Sequence, residues 1–146
     1  MKTVVISPHP DDETLGCGGT LLKHKKNNDE LYWIIMTTVT EDINYPDNYE
    51  NIRNREIEKV ANLYGMKDIF KLNFPAAKLD NIPLKNIIGK ISRAFKSIKP
   101  EQIYLPNRSD IHSDHRVTFD ASFSCTKSFR YSTIKKVLMY ETLSET

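Results

Sequence analysis

Short apolar runs alternate along this chain with longer amphipathic stretches. Thr3-Val4-Val5-Ile6 is continuous and β-branched, and reads as a buried strand over residues 3–6. Residues 31–37, Leu-Tyr-Trp-Ile-Ile-Met-Thr, read as a second one. Shorter strands are predicted over 68–72 and 102–105, and a last one over 135–141. Val137, Leu138 and Met139 are apolar enough for burial on both sheet faces. Between these runs the period changes to that of a helix. Residues 14–27 form the first, weakened at its start by Gly16, Gly18 and Gly19. In 47–64, Ile52, Ile57, Val60, Ala61 and Tyr64 lie close to an i, i+3, i+4 stripe, and Gly65 ends the helix as its C′ residue. Leu84, Ile87, Ile88, Ile91, Phe95 and Ile98 mark a helix over 84–98, which Pro100 closes. A fourth is predicted over 116–125, capped by Ser113 or Asp114. Strands alternating with helices, without a hairpin signal, predict a parallel α/β sandwich.

The segments between these elements carry the chemistry. The polar stretch 37–48 is long for a connection, follows a strand and is expected to border a site; 73–83 reads as a loop holding Pro75 and Pro83. The first strand runs into Ser7-Pro8-His9-Pro10-Asp11-Asp12-Glu13-Thr14, and then into the turn Gly16-Cys17-Gly18-Gly19. Two prolines stop the strand, and one imidazole and three successive carboxylates sit where a helix begins. In open α/β sheets, ligands bind at that edge.

Three adjacent acids repel one another, and no Lys or Arg lies within the motif. A metal cation offsets them economically. His9 and Asp12 can reach one ion from a tight turn, leaving Asp11 free beside it, and an imidazole with a carboxylate suits zinc, iron or a similar divalent ion. The rival reading is a phosphate cradle. The glycines match neither the dinucleotide fingerprint nor the P-loop, and the acids would repel a phosphate. Acidic residues at a helix start also complement its dipole, but that accounts for neither His9 nor the prolines. Cys17 is expected to be a small filler at the turn.

Further metal ligands are expected elsewhere, and His112-Ser113-Asp114-His115 supplies them. Two histidines three apart point the same way on a helical turn. The fourth histidine, His24, lies in Lys23-His24-Lys25-Lys26 and reads as part of a solvated helix face.

Together, His9-Pro10-Asp11-Asp12-Glu13-Thr14, the glycine turn and His112-Ser113-Asp114-His115 resemble the PIG-L/LmbE-like family of metal-dependent N-deacetylases. Arg53-x-x-Glu56 with Gly65, and Val137-Leu138-Met139-Tyr140-Glu141, resemble its second helix and a late strand. The resemblance implies a Rossmann-like three-layer sandwich with a mostly parallel sheet. It implies one zinc, or another divalent metal, held by His9, Asp12 and His115. Asp11 is then the general base, a protonated His112 stabilises the oxyanion or donates a proton, and Arg53 contacts substrate. The implied reaction removes an acetyl group from an amino sugar such as N-acetylglucosamine or its conjugates. Family members continue past the Tyr-Glu strand, so residues 1–146 are expected to be one domain lacking a C-terminal segment. The alternative is a Rossmann-like nucleotide-sugar binding module without catalysis, which predicts no bound metal. A metallophosphoesterase would use two metals and more ligands than this sequence offers.

Composition narrows the partners. Twenty-one basic and 19 acidic residues leave a net charge of +2, too balanced to argue for nucleic acid. Two cysteines make no disulfide framework. The longest apolar run falls well short of the roughly 20 residues of a membrane span, and Pro8 interrupts any signal-peptide core. A cytoplasmic location is expected. The polar tail, 142–146, is expected to be poorly ordered or to reach a partner chain, which leaves room for a homo-oligomer.

Overall fold

The computed structural model describes residues 1–39, 46 and 48–143. Five strands, β1 (Lys2–Ser7), β2 (Glu30–Thr38), β3 (Met66–Pro75), β4 (Gln102–Pro106) and β5 (Lys136–Tyr140), form one sheet in the order β3-β2-β1-β4-β5. Every pairing is parallel. Helices α1 (Asp12–Lys26), α2 (Tyr49–Tyr64), α3 (Leu84–Ile98) and α4 (Ser113–Ser124) supply the crossovers that parallel strands require.

Alternation within β1 divides the core in two. Val4 and Ile6 join Ile87, Ile91, Phe95 and Ile98 of α3 and Ala121 of α4. Val5 joins Leu21 of α1 and Ile57, Ala61 and Tyr64 of α2. The sheet is therefore covered on both faces, as a three-layer sandwich. Burial of this kind contributes about 25 cal/mol per Å² of apolar surface, which is why strands that are apolar on both faces sit at its centre.

From β1 the chain builds outward to β2 and β3, then returns across β1 to add β4 and β5. That reversal opens a crevice at the carboxyl ends of β1 and β4. Both polar motifs leave the sheet there.

Several local expectations are corrected. β3 runs from Met66 to Pro75, well beyond 68–72. A bulge opposite Met36 absorbs Asn73, at φ 53°, so the strand continues through apparent breakers. α4 begins at Ser113, and its cap is His112, whose Nδ1 accepts the Asp114 N–H at 3.1 Å. β5 lies in the sheet but at its edge, so Leu138 and Met139 are 37% and 53% exposed and not buried on both faces. His24 is buried, not solvated: Nδ1 meets Asp29 Oδ2 at 2.8 Å and Nε2 meets Tyr104 OH at 2.9 Å. Residues 40–45 and 47 of the 37–48 loop, and 144–146 of the tail, lie outside the described residues.

Candidate metal centre

The first motif folds as a tight turn before α1. Asp11 N–H and Asp12 N–H donate to His9 O at 3.0 and 3.4 Å, and Asp12 Oδ2 accepts the His9 N–H at 2.8 Å. Pro8 O accepts both the N–H and the hydroxyl of Thr37, which ties the turn to the end of β2. The first helical turn carries Asp12 and Glu13, then kinks at Cys17, whose φ is −144°.

Asp12 Oδ2 lies 3.4 Å from His9 Nδ1 and 3.4 Å from His115 Nε2. One donor atom from each of the three residues lies within 4.8 Å of the others. Good N–H···O bonds are shorter, about 2.7–3.2 Å. Zinc with ligand bonds of about 2.0–2.1 Å in a tetrahedron holds neighbouring donors about 3.3–3.4 Å apart. The spacing and the donor types therefore fit a divalent metal.

The far nitrogen of each histidine rests on a carboxylate. His9 Nε2 meets Asp114 Oδ2 at 3.0 Å, and His115 Nδ1 meets Asp110 Oδ2 at 2.9 Å. Such pairs orient metal-binding imidazoles. The local sequence pattern does not single out Asp110 and Asp114 for these roles, although an acid two residues before His112 and one between the histidines are a usable signal. A second group, His9, His112 and Asp114, also converges. Asp114 is fully buried and already accepts the N–H groups of Ala77 (2.6 Å) and Leu79 (3.1 Å), which favours the first group.

Charge is arranged to match. Burial disfavours the His9 imidazolium, but Asp114 and Asp12 outweigh it and raise the group to about 9. At His115 burial again opposes the charge, and Asp12 and Asp110 raise it. Burial also works against the Asp12 carboxylate, yet the two histidines hold it well below the usual range. His112 is lowered, by burial and by the charge of His9. Glu13 is pushed up to about 7, chiefly by burial, and its Oε2 has no hydrogen-bond partner among the described residues. Burial also pushes the Cys17 thiol up to about 12, and its Sγ donates to Glu13 O. It fills space, as expected of it.

Asp11 lies beside this group and outside it. Its side chain is 54% exposed, with Oδ2 3.6 Å from Arg53 Nη2 of α2. Arg53 also pairs with Glu56 at 3.1 Å. A cation 42 residues away thus covers one of the three acids. Both residues line a cavity of about 490 Å³, bordered also by Thr37, Thr38, Asn54 and Asn73. Among the described residues, no helix is long and apolar enough to cross a membrane.

The family described as GlcNAc-PI de-N-acetylase (PIG-L) matches residues 4–126. An uncharacterized deacetylase of Escherichia coli K12, YaiS, is 26% identical over 147 residues, covering 97% of this chain and 74% of its own length. A probable N-acetyl-alpha-D-glucosaminyl L-malate deacetylase 2 of Bacillus anthracis is 23% identical over 127 residues, covering 81% of this chain and 56% of its own length. Among solved structures, the N,N'-diacetylchitobiose deacetylase of Pyrococcus horikoshii superposes with a TM-score of 0.80 at 23% identity. It covers 99% of this chain, which spans 62% of that protein's length. At that identity the likeness establishes the fold.

Proposed function

The chain belongs to the PIG-L family, and from that premise we propose that it removes the acetyl group from an N-acetylated amino sugar, with zinc held by His9, Asp12 and His115. The observation that carries this reading is the convergence of those three donors: Asp12 Oδ2 lies 3.4 Å from a nitrogen of each histidine, and all three donor atoms lie within 4.8 Å of one another. Three protein ligands are the pattern of a catalytic rather than a structural zinc site. When bound, zinc polarises a carbonyl and lowers the pKa of water from about 15.7 to about 7.

The chain's own residues do the rest. Asp11 faces the cavity from the residue before Asp12 and accepts the proton of the attacking water. Arg53 steadies Asp11 and offers its remaining N–H groups to the substrate. His112 acts as a hydrogen-bond donor. Its Nδ1 accepts a backbone N–H, so the single proton of the neutral ring sits on Nε2, and burial favours that neutral form. Nε2–H then donates to the oxyanion that forms on the acetyl carbonyl. This role needs no imidazolium. The proton held by Asp11 returns to the departing amine nitrogen. The cavity's volume lies within the roughly 300–1,000 Å³ of small-molecule sites, and Thr37, Thr38, Asn54 and Asn73 suit a hydroxyl-rich ligand.

Zinc-loaded protein incubated with a panel of N-acetyl sugars, and with a phosphate monoester as control, tests the reaction class. Acetate is expected from at least one sugar. Phosphate release without acetate would replace the reading.

A further inference from the structure

One carboxylate organises the second motif. Asp110 Oδ1 accepts the His112 N–H at 2.9 Å, and its Oδ2 meets His115 Nδ1 at 2.9 Å. Its side chain is only 6% exposed, as is that of His115. Thr142, just beyond β5, donates its hydroxyl to the same Oδ2 at 3.3 Å. So one side chain fixes the backbone that enters α4 and the ring one helical turn further on.

We infer that Asp110 is a positioning residue for metal binding: its carboxylate keeps the His115 proton on Nδ1 and aims the Nε2 lone pair at the site shared with Asp12 and His9. A neutral imidazole carries one N–H. With a carboxylate at Nδ1 the proton belongs there, and Nε2 is left as a ligand atom. Without it, the proton distributes over both nitrogens and the ring is free to turn. The proposal rests on the metal reading above and adds a residue that the ligand set does not contain.

Asp114 stands in the same relation to His9, but it is the poorer place to look. It also holds the N–H groups of Ala77 and Leu79, so its removal would loosen the segment after β3 as well. Asp110 has no backbone partner outside its own loop among the described residues, so orientation can be separated from folding there.

The test is the zinc dissociation constant of metal-free protein, measured by competition with a chromophoric chelator, for the parent, Asp110→Ala and Asp110→Asn. Long-range 1H–15N spectra of the zinc-bound imidazoles and melting of the metal-free proteins accompany it. The parent is expected to bind one zinc with His115 protonated at Nδ1. Asp110→Ala is expected to bind roughly 10- to 100-fold more weakly, the usual effect of removing such a partner. Asp110→Asn keeps one acceptor oxygen and is expected to fall between, which decides the matter if the Ala variant does not fold. Parent-like zinc affinity in a folded variant would overturn the assignment. A parent that binds no zinc would overturn the metal reading itself, and the proposal with it.

Discussion

Gly16 is a glycine because the Tyr140 ring occupies the space a side chain would need. A Cβ there would lie 2.9 Å from ring atoms Cγ and Cε2 of Tyr140, and nearer still to Cδ2. The Tyr140 hydroxyl donates to Ile6 O at 2.8 Å, immediately before the His9 turn. The last strand of the sheet thus clamps the first motif from the opposite end of the sequence. Gly16→Ala is expected to cost about 1–3 kcal/mol by overpacking. Tyr140→Phe, which loses only the hydrogen bond, is expected to cost about 0.5–1.5 kcal/mol. Urea unfolding of both variants checks this, and a Gly16→Ala protein as stable as the parent would remove the clamp.

Asp11 and Asp12 are adjacent and chemically alike, yet their surroundings differ. Asp12 is 5% exposed between two histidines; Asp11 faces the cavity and Arg53. Asp11→Asn is expected to keep the metal and lose roughly 10²- to 10⁴-fold in rate. Asp12→Asn is expected to lose metal affinity as well, because an amide oxygen is a poorer ligand than a carboxylate. Metal content and acetate release on both variants are the measurements. Identical behaviour in both would end the division of labour.

His112→Phe removes the Nε2–H donor and leaves the three proposed ligands in place. The expected result is one bound zinc and a rate lowered by roughly 10²- to 10³-fold, as for loss of an oxyanion donor. The helix cap is lost too, at about 1 kcal/mol, so the melting temperature should fall slightly. Unchanged turnover would take His112 out of the reaction.

The buried Glu13 gives a pH-dependent stability. Its folded pKa is raised to about 7, above the ordinary 4.5. A group raised on folding contributes fully below its unfolded pKa, and that contribution is lost as pH rises through the folded value. In metal-free protein, the difference in unfolding free energy between Glu13→Gln and the parent is therefore expected to shift in favour of Gln between about pH 5 and pH 8. At about 1.4 kcal/mol per pKa unit, the shift is a few kcal/mol. Taking the difference removes the pH dependence that both proteins share through His9. A flat difference across that range would show Glu13 ionised in the fold.

The order of strands and helices is legible in the sequence because each element carries its own period. The helix over Leu84–Ile98 is read from its apolar stripe alone and found at those bounds. The two motifs are likewise legible, since strand ends must release them at one edge. What local pattern hides is partnership. His24 sits among lysines in sequence, but Gln102 and Tyr104, which enclose it, are 78 and 80 residues away. Arg53 is invisible as the cation beside Asp11 until α2 is placed. Leu138 and Met139 look like core until β5 proves to be an edge. Asn73 looks like a breaker, because its left-handed backbone has meaning only against the strand opposite it.

The most direct test is a titration. Zinc is added stepwise to metal-free protein in the presence of a reactive N-acetyl sugar, and acetate release is followed. The rate is predicted to rise with each addition and to level off at one equivalent per chain. Acetate release that is independent of added zinc, or that levels off only at two equivalents, would contradict a single metal held by His9, Asp12 and His115.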